Sequence, residues 1–162
     1  MNIVITGHTS GLGKALYRYF TEKGHNVIGC SRSNGYDITN DPDLILHTAL
    51  KADLFINNAH DGLAQCYFIR KLHNAVPMIT MGSMASDAAL FMDDYHFDKK
   101  VIEGCYNRHV KNSKIATLFL KMGYLENYPD KNPITYEEVI NAIEFWQKNP
   151  RVTSIIMENL NK

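Results

Sequence analysis

The sequence predicts an α/β fold in which a mostly parallel, doubly wound sheet carries helices on both faces. Apolar runs of strand length alternate along the chain with amphipathic stretches of helical period, a pattern typical of parallel strands joined by helical crossovers. A glycine-rich turn at residues 6–13 joins the first apolar run to the first helical stretch. Because the chain shows no repeats or linker-like stretches, we expect residues 1–162 to form a single domain.

The predicted strands are short apolar runs bounded by polar residues, glycine or proline. They cover residues 2–5, 25–30, 53–56, 77–81, 114–120 and 152–157. The carboxyl ends of such strands meet at one edge of a parallel sheet, where ligands bind in this class of fold. We therefore expect functional residues directly after the strands.

Helices are predicted where apolar residues recur at helical spacing. Leu12, Leu16 and Phe20 define the first helix, which Gly24 ends. The last helix begins at a capping box formed by Thr135 and Glu138. The helices cover about residues 12–23, 40–51, 63–73, 93–111 and 135–149.

The connection after the second strand is too short for a helix. Only residues 31–36 separate that strand from Asp37, whereas a helical crossover to a parallel neighbour needs about a dozen residues or more. A third strand at residues 36–38 is therefore a stub reached by a loop, or it is missing.

Charge and cysteine content exclude several classes of function. Lys plus Arg and Asp plus Glu number 17 each, so no overall field attracts nucleic acid or an anionic membrane. The three cysteines form no C-x-x-C pair and the histidines lack ligand spacing, so no metal site is predicted. Without a basic leader or a membrane-length apolar run, a cytoplasmic location is expected.

The glycine-rich turn is the first candidate binding site. Gly7, Gly11 and Gly13 follow a predicted strand, and a helix opens at the last two. Glycines let the backbone approach a phosphate, and free N–H groups at the helix start point at it. We interpret the turn as a cradle for the pyrophosphate of a dinucleotide. An ordinary strand-to-helix turn explains the same residues, and the turn alone leaves both interpretations open.

A tyrosine and a lysine on the long predicted helix are candidates for catalysis. Tyr95 and Lys99 lie four residues apart and therefore share a helix face. A phenol has a pKa of about 10, and a nearby ammonium lowers it, which allows proton exchange with an alcohol or carbonyl. Ser83 ends a predicted strand, where its hydroxyl can bind a substrate oxygen. Taken singly, a solvated helix pair and a turn serine also explain these residues.

These motifs, in this order, resemble the short-chain dehydrogenase/reductase family over nearly the whole chain. The family has T-G-x-x-x-G-x-G, then N-N-A-G, a serine, Y-x-x-x-K and a final P-G-x-V-x-T segment. The matching residues are Thr6, Gly7, Gly11, Gly13, Asn57, Asn58, Ala59, Ser83, Tyr95, Lys99, Gly123 and Leu125, with Ser86 a weaker candidate for the serine. His60 replaces the glycine of N-N-A-G, and the last segment keeps its glycine and an aliphatic residue but has Met122 and Asn127 in place of the proline and the threonine. The resemblance implies a Rossmann-type fold with its third strand and the accompanying helix reduced.

The resemblance also implies roles for individual residues. Tyr95 would be the general acid/base, Ser83 would orient the carbonyl, and Lys99 would lower the tyrosine pKa and bind the nicotinamide ribose. The residues expected to bind the cofactor are Gly7, Thr9, Ser10, Gly11, Leu12, Gly13, Ser31, Arg32, Asp37, Ile38, Asn58, Ala59, Tyr95, Lys99, Gly123 and Leu125. Copies of the chain would pair through the long helix to form a homodimer or homotetramer.

Arg32 favours NADP(H) over NAD(H). An acidic residue at the end of the second strand would bind the ribose hydroxyls of NAD. Here Arg32 lies between Ser31 and Ser33, and its planar guanidinium suits a 2′-phosphate. A surface arginine without a ligand is the alternative interpretation.

Three functions are compatible with the sequence. The leading hypothesis is an NADP(H)-dependent oxidoreductase that interconverts a small carbonyl and an alcohol. The main alternative is a catalytically weak NADP(H)-binding sensor or interaction protein, because the segment after residue 127 is short and the family's relay asparagine has no match. Asn74 lies too close to Ser83 for that role. An epimerase or dehydratase is disfavoured by Arg32 and by the glycine spacing.

Overall fold

A single six-stranded sheet forms the centre of the molecule. The computed structural model describes residues 1–87 and 93–159. The strands lie in the order β2-β1-β3-β4-β5-β6, and each neighbouring pair is parallel. Their bounds are β1 Asn2–Thr6, β2 Asn26–Cys30, β3 Leu54–Asn57, β4 Met78–Ser83, β5 Thr117–Met122 and β6 Ser154–Met157.

Helices cover both faces of this sheet, which confirms the predicted doubly wound α/β fold. They are α1 Gly11–Glu22, α2 Pro42–Ala49, α3 Ala64–Leu72, α4 Asp94–Val110 and α5 Tyr136–Lys148. One core packs α1 and α5 against the sheet, and the other packs α2, α3 and α4 on the opposite face. No helix in the described ranges is both long enough and apolar enough to span a bilayer.

The third strand is missing rather than a stub. Residues 31–41 contain a short 3-10 helix, Arg32–Asn34, and turns, so β2 is an edge strand of the sheet. The carboxylate of Asp37 accepts hydrogen bonds from the backbone N–H groups of Thr39 at 2.8 Å and Asn40 at 3.0 Å. These bonds close a turn where a strand would otherwise continue. They also lower the pKa of Asp37.

β5 begins later than the sequence predicts, at Thr117 instead of residue 114. The hydroxyl of Ser113 donates to the carbonyl of Ile115 at 2.8 Å and accepts from its N–H at 3.2 Å. The Lys114 N–H donates to the Asn74 side chain. Because side chains already bind these backbone groups, the first residues of the predicted strand form a turn instead.

The predicted start of the last helix is confirmed. The Thr135 hydroxyl accepts from the Glu138 N–H at 3.1 Å, and the Glu138 carboxylate accepts from the Thr135 N–H at 2.7 Å. Ile134 and Val139 on either side of this box are both buried in the core. The chain therefore enters α5 at a fixed angle.

Candidate active site

A cleft of about 400 Å³ opens at the carboxyl ends of β1, β2 and β3. Ten of the sixteen predicted cofactor-binding residues line it: Gly7, Thr9, Ser10, Leu12, Gly13, Ser31, Arg32, Ile38, Asn58 and Ala59. Cys30, Ser33, Tyr36, His60 and Asp61 complete the lining. The other six predicted residues are Gly11, Asp37, Tyr95, Lys99, Gly123 and Leu125, which lie outside this lining.

The glycine loop packs too closely against α1 to admit side chains. A Cβ on Gly13 would lie 2.1 Å from the carbonyl oxygen of Gly7 and 2.6 Å from Asn58 Nδ2. Gly7 itself has φ +73°, a conformation that favours glycine. Both glycines are therefore required by the path of the backbone at the cleft.

Asn58 and Thr6 fasten the loop to the neighbouring strand. The Thr6 hydroxyl accepts from the N–H groups of Asn58 at 3.0 Å and Ala59 at 2.9 Å. The side-chain amide of Asn58 donates to the Thr6 carbonyl at 2.9 Å. Thr6 and Asn58 are 52 residues apart in the sequence. The fold brings the Thr-Gly and Asn-Ala motifs together, and they form one rigid wall of the cleft.

The donors at this wall suit an anionic group. Ser10 is the N-cap of α1, but its hydroxyl makes no capping hydrogen bond. The first N–H groups of a helix have no intrahelical acceptor, and Leu12 and Gly13 line the cleft at that position. The backbone therefore offers free donors and a positive helix end to a pyrophosphate.

Arg32 lies at the other end of the cleft, on the short 3-10 helix. The Asn34 side chain donates to the Gly29 carbonyl at 2.8 Å and accepts from the Ser31 N–H at 2.9 Å, which fixes this turn. The hydroxyls of Ser31 and Ser33 lie 2.8 Å apart. Arg32 is exposed and forms no ion pair within the described ranges. Its guanidinium is available to an anion.

The structure brings Tyr95 and Lys99 together on α4. Tyr95 is the second residue of the helix and is 42% exposed, whereas Lys99 is only 5% exposed. Lys99 Nζ lies 5.5 Å from the centre of the Tyr95 ring. Burial lowers the pKa of Lys99 to about 8, although Asp98 opposes this shift. At neutral pH the lysine still carries its charge beside an accessible phenol.

The pKa of Lys99 predicts how stability depends on pH. Its folded value, about 8, lies below the ordinary value of 10.5, so the unfolded chain binds more protons between these values. The free energy of unfolding should therefore rise between about pH 8 and pH 10.5, by up to about 3 kcal/mol from this group. Urea unfolding of the wild type and Lys99→Met at about pH 7 and pH 10 tests this. The stability advantage of the wild type over the variant should grow with pH, and a pH-independent difference would contradict the prediction.

Ser83 ends β4 and is only partly buried. Its hydroxyl accepts from the Ala85 N–H at 3.1 Å, which leaves its own proton for another acceptor. The hydroxyl of Ser86 is instead buried, 2.9 Å from the Ser83 carbonyl and 2.5 Å from Glu103 Oε2. Ser83 is therefore the better placed of the two serines to bind a substrate oxygen.

A second buried lysine fixes the elements that carry Ser83 and Tyr95. Lys121 on β5 donates to Glu103 on α4 at 3.1 Å and forms an ion pair with Asp87, which follows β4. Burial alone would lower the pKa of Lys121, but its hydrogen bonds to these carboxylates outweigh burial and raise it. The segment after β4, the helix α4 and the strand β5 are thus joined at the carboxyl edge of the sheet.

His60, which occupies the glycine position of the predicted N-N-A-G motif, links the cleft to Tyr95. Its ring lies edge-on to the Tyr95 ring with centroids 5.0 Å apart. Its Nε2 is 3.9 Å from Asp98 Oδ2. Burial and the charge of Lys99 lower the pKa of His60, which favours the neutral form of the ring.

Gln65, the hydrogen-bond partner of Lys99, could not be predicted from the sequence. Lys99 Nζ donates to Gln65 Oε1 at 3.0 Å. A glutamine near the start of a helix has no distinguishing pattern in the sequence, so only the fold reveals this contact. Asn74, by contrast, binds the Lys114 N–H before β5. That position is at the amino ends of the strands, away from the site.

Gly123 and Leu125 lie beyond β5, next to the strand that carries Ser83. A Cβ on Gly123 would lie 2.1 Å from the Asn159 side-chain oxygen. That oxygen accepts from the Tyr124 N–H at 2.6 Å, and Leu125 forms an isolated bridge with Ile134. Asn159, which the sequence analysis did not single out, therefore fastens the loop after β5 to the end of β6.

Comparison with known proteins identifies the family. Residues 3–152 match the NAD dependent epimerase/dehydratase family. The chain belongs to this family. The predicted relationship to short-chain dehydrogenases/reductases is thereby confirmed, since the family is part of that superfamily. Its members are NAD(P)-dependent enzymes. The glycine spacing, which in the sequence disfavours an epimerase, does not separate the chain from this family.

Solved structures show the same fold at low sequence identity. UDP-N-acetylglucosamine 4-epimerase from Bacillus cereus is 15% identical with a TM-score of 0.72, covering 99% of this chain and 80% of its own. 4-Hydroxyisoleucine dehydrogenase complexed with NADH is 15% identical with a TM-score of 0.73, and the match covers 98% of this chain and 96% of the dehydrogenase chain. dTDP-4-dehydrorhamnose reductase from Bacillus anthracis in complex with NADP is 12% identical with a TM-score of 0.67, and the match covers 99% of this chain and 76% of the reductase chain. No curated protein sequence matches the chain.

Proposed function

We propose that this protein is an NADP(H)-dependent oxidoreductase that interconverts a small carbonyl and an alcohol. The observation that supports this most strongly is the accessible Tyr95 phenol held 5.5 Å from the buried Lys99 ammonium. Both residues stand beside a cleft whose donors suit a dinucleotide. The glycine loop and α1 would hold the pyrophosphate, and Arg32 would hold the 2′-phosphate.

The residues of the site can move one proton in each turnover. The Ser83 hydroxyl donates to the carbonyl oxygen and orients it. The bound nicotinamide supplies hydride chemistry. As negative charge develops on the substrate oxygen, the Tyr95 hydroxyl donates its proton to that oxygen. The charge of Lys99 then stabilises the phenolate that remains.

A panel of small aldehydes and ketones, assayed with NADPH and with NADH, tests the proposed function. We expect NADPH to be oxidised with at least one carbonyl, and the loss of its absorbance to match the alcohol formed. Binding of NADPH without turnover across the whole panel would instead support the sensor alternative.

Arg32→Ala is expected to weaken NADPH binding by about 10- to 100-fold, because charge-assisted hydrogen bonds are lost. Binding of NADH, which lacks the 2′-phosphate, should change little. Isothermal titration of both cofactors measures the two effects. Arg151→Ala is the matched control, since Arg151 is also exposed but lies outside the cleft. An equal loss for both cofactors would argue against a 2′-phosphate contact.

An epimerase or dehydratase that retains its NAD is the second candidate, because the family match favours it. Such an enzyme would be purified with bound cofactor and would show no net oxidation of NADPH. The ultraviolet absorbance of bound nucleotide in the purified protein distinguishes this candidate from the NADP(H)-dependent oxidoreductase. The predicted homodimer or homotetramer stays a prediction, which sedimentation of the purified protein would test.

A further inference from the structure

Gln65 is a fully buried polar residue. It is the second residue of α3, and none of its surface is exposed. Glutamine is mostly an exposed residue, and a buried amide is costly unless its groups are hydrogen-bonded. Its position between β3, β4 and α4 therefore requires partners on each side.

The backbone fixes the orientation of the Gln65 amide. Its nitrogen donates to the carbonyl oxygens of Asn57 at 2.8 Å and Met81 at 3.2 Å. Because both amide protons are used, the oxygen must face the opposite way, toward Lys99. The Asn57 side chain also donates to the backbone carbonyl of Gln65 at 3.0 Å. Gln65 is thus tied to two central strands and presents one neutral acceptor to the lysine.

We propose that Gln65 is the positioning residue that holds the Lys99 ammonium in place and sets how it titrates. This role rests on the proposed function, in which Lys99 acts on Tyr95. A neutral acceptor fixes Nζ at 3.0 Å without cancelling its charge, so the charge stays available to the phenol. A carboxylate at the same place would neutralise it.

The other charged or titratable groups near Lys99 do not replace Gln65. Tyr95 and Asp98 approach from its own helix, and His60 approaches from the loop after β3. The only hydrogen bond of Lys99 Nζ within the described ranges is the bond to Gln65. The position of the ammonium therefore depends on this amide.

Two substitutions at Gln65 should shift the Lys99 pKa in opposite directions. Gln65→Met keeps the length but removes the acceptor, so the Lys99 pKa should fall by about one unit. Gln65→Glu adds a negative charge and should raise it by a similar amount. Nitrogen-15 NMR titration of the lysine Nζ signals in the full chain, without cofactor, measures both. Gln147→Met, at an exposed position on α5, should leave the Lys99 pKa unchanged.

An unchanged Lys99 pKa in either folded variant would overturn the proposal. If both variants fail to fold, the wild type decides, because a nuclear Overhauser contact between the Lys99 ε-methylene and the Gln65 side chain is required. Where turnover is found, the upper pH limit of kcat should move with the Lys99 pKa in each variant, and a fixed limit would overturn the positioning role. Absence of turnover in the wild type would refute the proposed function while the NMR titration still tests Gln65.

Discussion

Tyr95→Phe is expected to lower kcat for carbonyl reduction by about 10²- to 10⁴-fold, because the substitution removes the proton donor. The ring of Tyr95 packs against His60, and phenylalanine keeps that contact. NADPH affinity should therefore fall by no more than about fivefold, the value of one hydrogen bond. Steady-state kinetics and a cofactor titration on the same preparation separate the two effects.

Tyr67→Phe is the control for this substitution. Its hydroxyl donates to Asp43 on α2, and Tyr67 does not line the cleft, so turnover should be retained. If Tyr95→Phe kept its full turnover on an identified substrate, the assignment of the general acid would be wrong. The phenol would then be a surface group at the start of a helix.

Gly13→Ala is expected to weaken NADPH binding by about tenfold or more and to destabilise the protein by about 1–3 kcal/mol. The added methyl group would meet the Gly7 carbonyl at 2.1 Å, and this backbone atom cannot rotate away. Alanine gains about 1 kcal/mol of helix propensity over glycine, which is too little to offset the clash. Urea unfolding and a fluorescence titration measure the two quantities.

Gly104→Ala provides the matched control on another helix. A Cβ at Gly104 would meet no atom within 4 Å, so only the helix propensity acts. This variant should gain about 0.5–1 kcal/mol of stability and keep its cofactor affinity. If Gly13→Ala behaved like Gly104→Ala, the close approach of the loop to α1 would not be needed for binding.

Local patterns made most of the fold predictable. The Thr135 capping box, the glycine turn and the alternation of strands and helices each depend on residues close together in the sequence. The sequence also indicated that the third strand is either a stub or missing, because six residues cannot form a helical crossover. The start of β5 was wrong by three residues, since Ser113 and Asn74 bind backbone groups that an apolar pattern does not reveal.

The environment of the candidate site was less predictable. Gln65 and Lys99 are 34 residues apart, as are Asp87 and Lys121. Neither pair has a spacing rule, because each contact depends on how α3, α4 and β5 pack on the sheet. Tyr95 and Lys99 could be chosen by their helical spacing. That Tyr95 is exposed while Lys99 is buried became visible only in the packed structure.

Transfer of deuterium from NADPH that carries deuterium at both C4 positions of the nicotinamide tests the central claim most directly. The wild-type protein is incubated with the labelled cofactor and a carbonyl from the panel, and the alcohol is analysed by mass spectrometry. The proposed function predicts that the alcohol carries the label, and that Tyr95→Phe forms far less of it. An unlabelled product, or label retained entirely by the cofactor under turnover conditions, would contradict the assignment as an oxidoreductase.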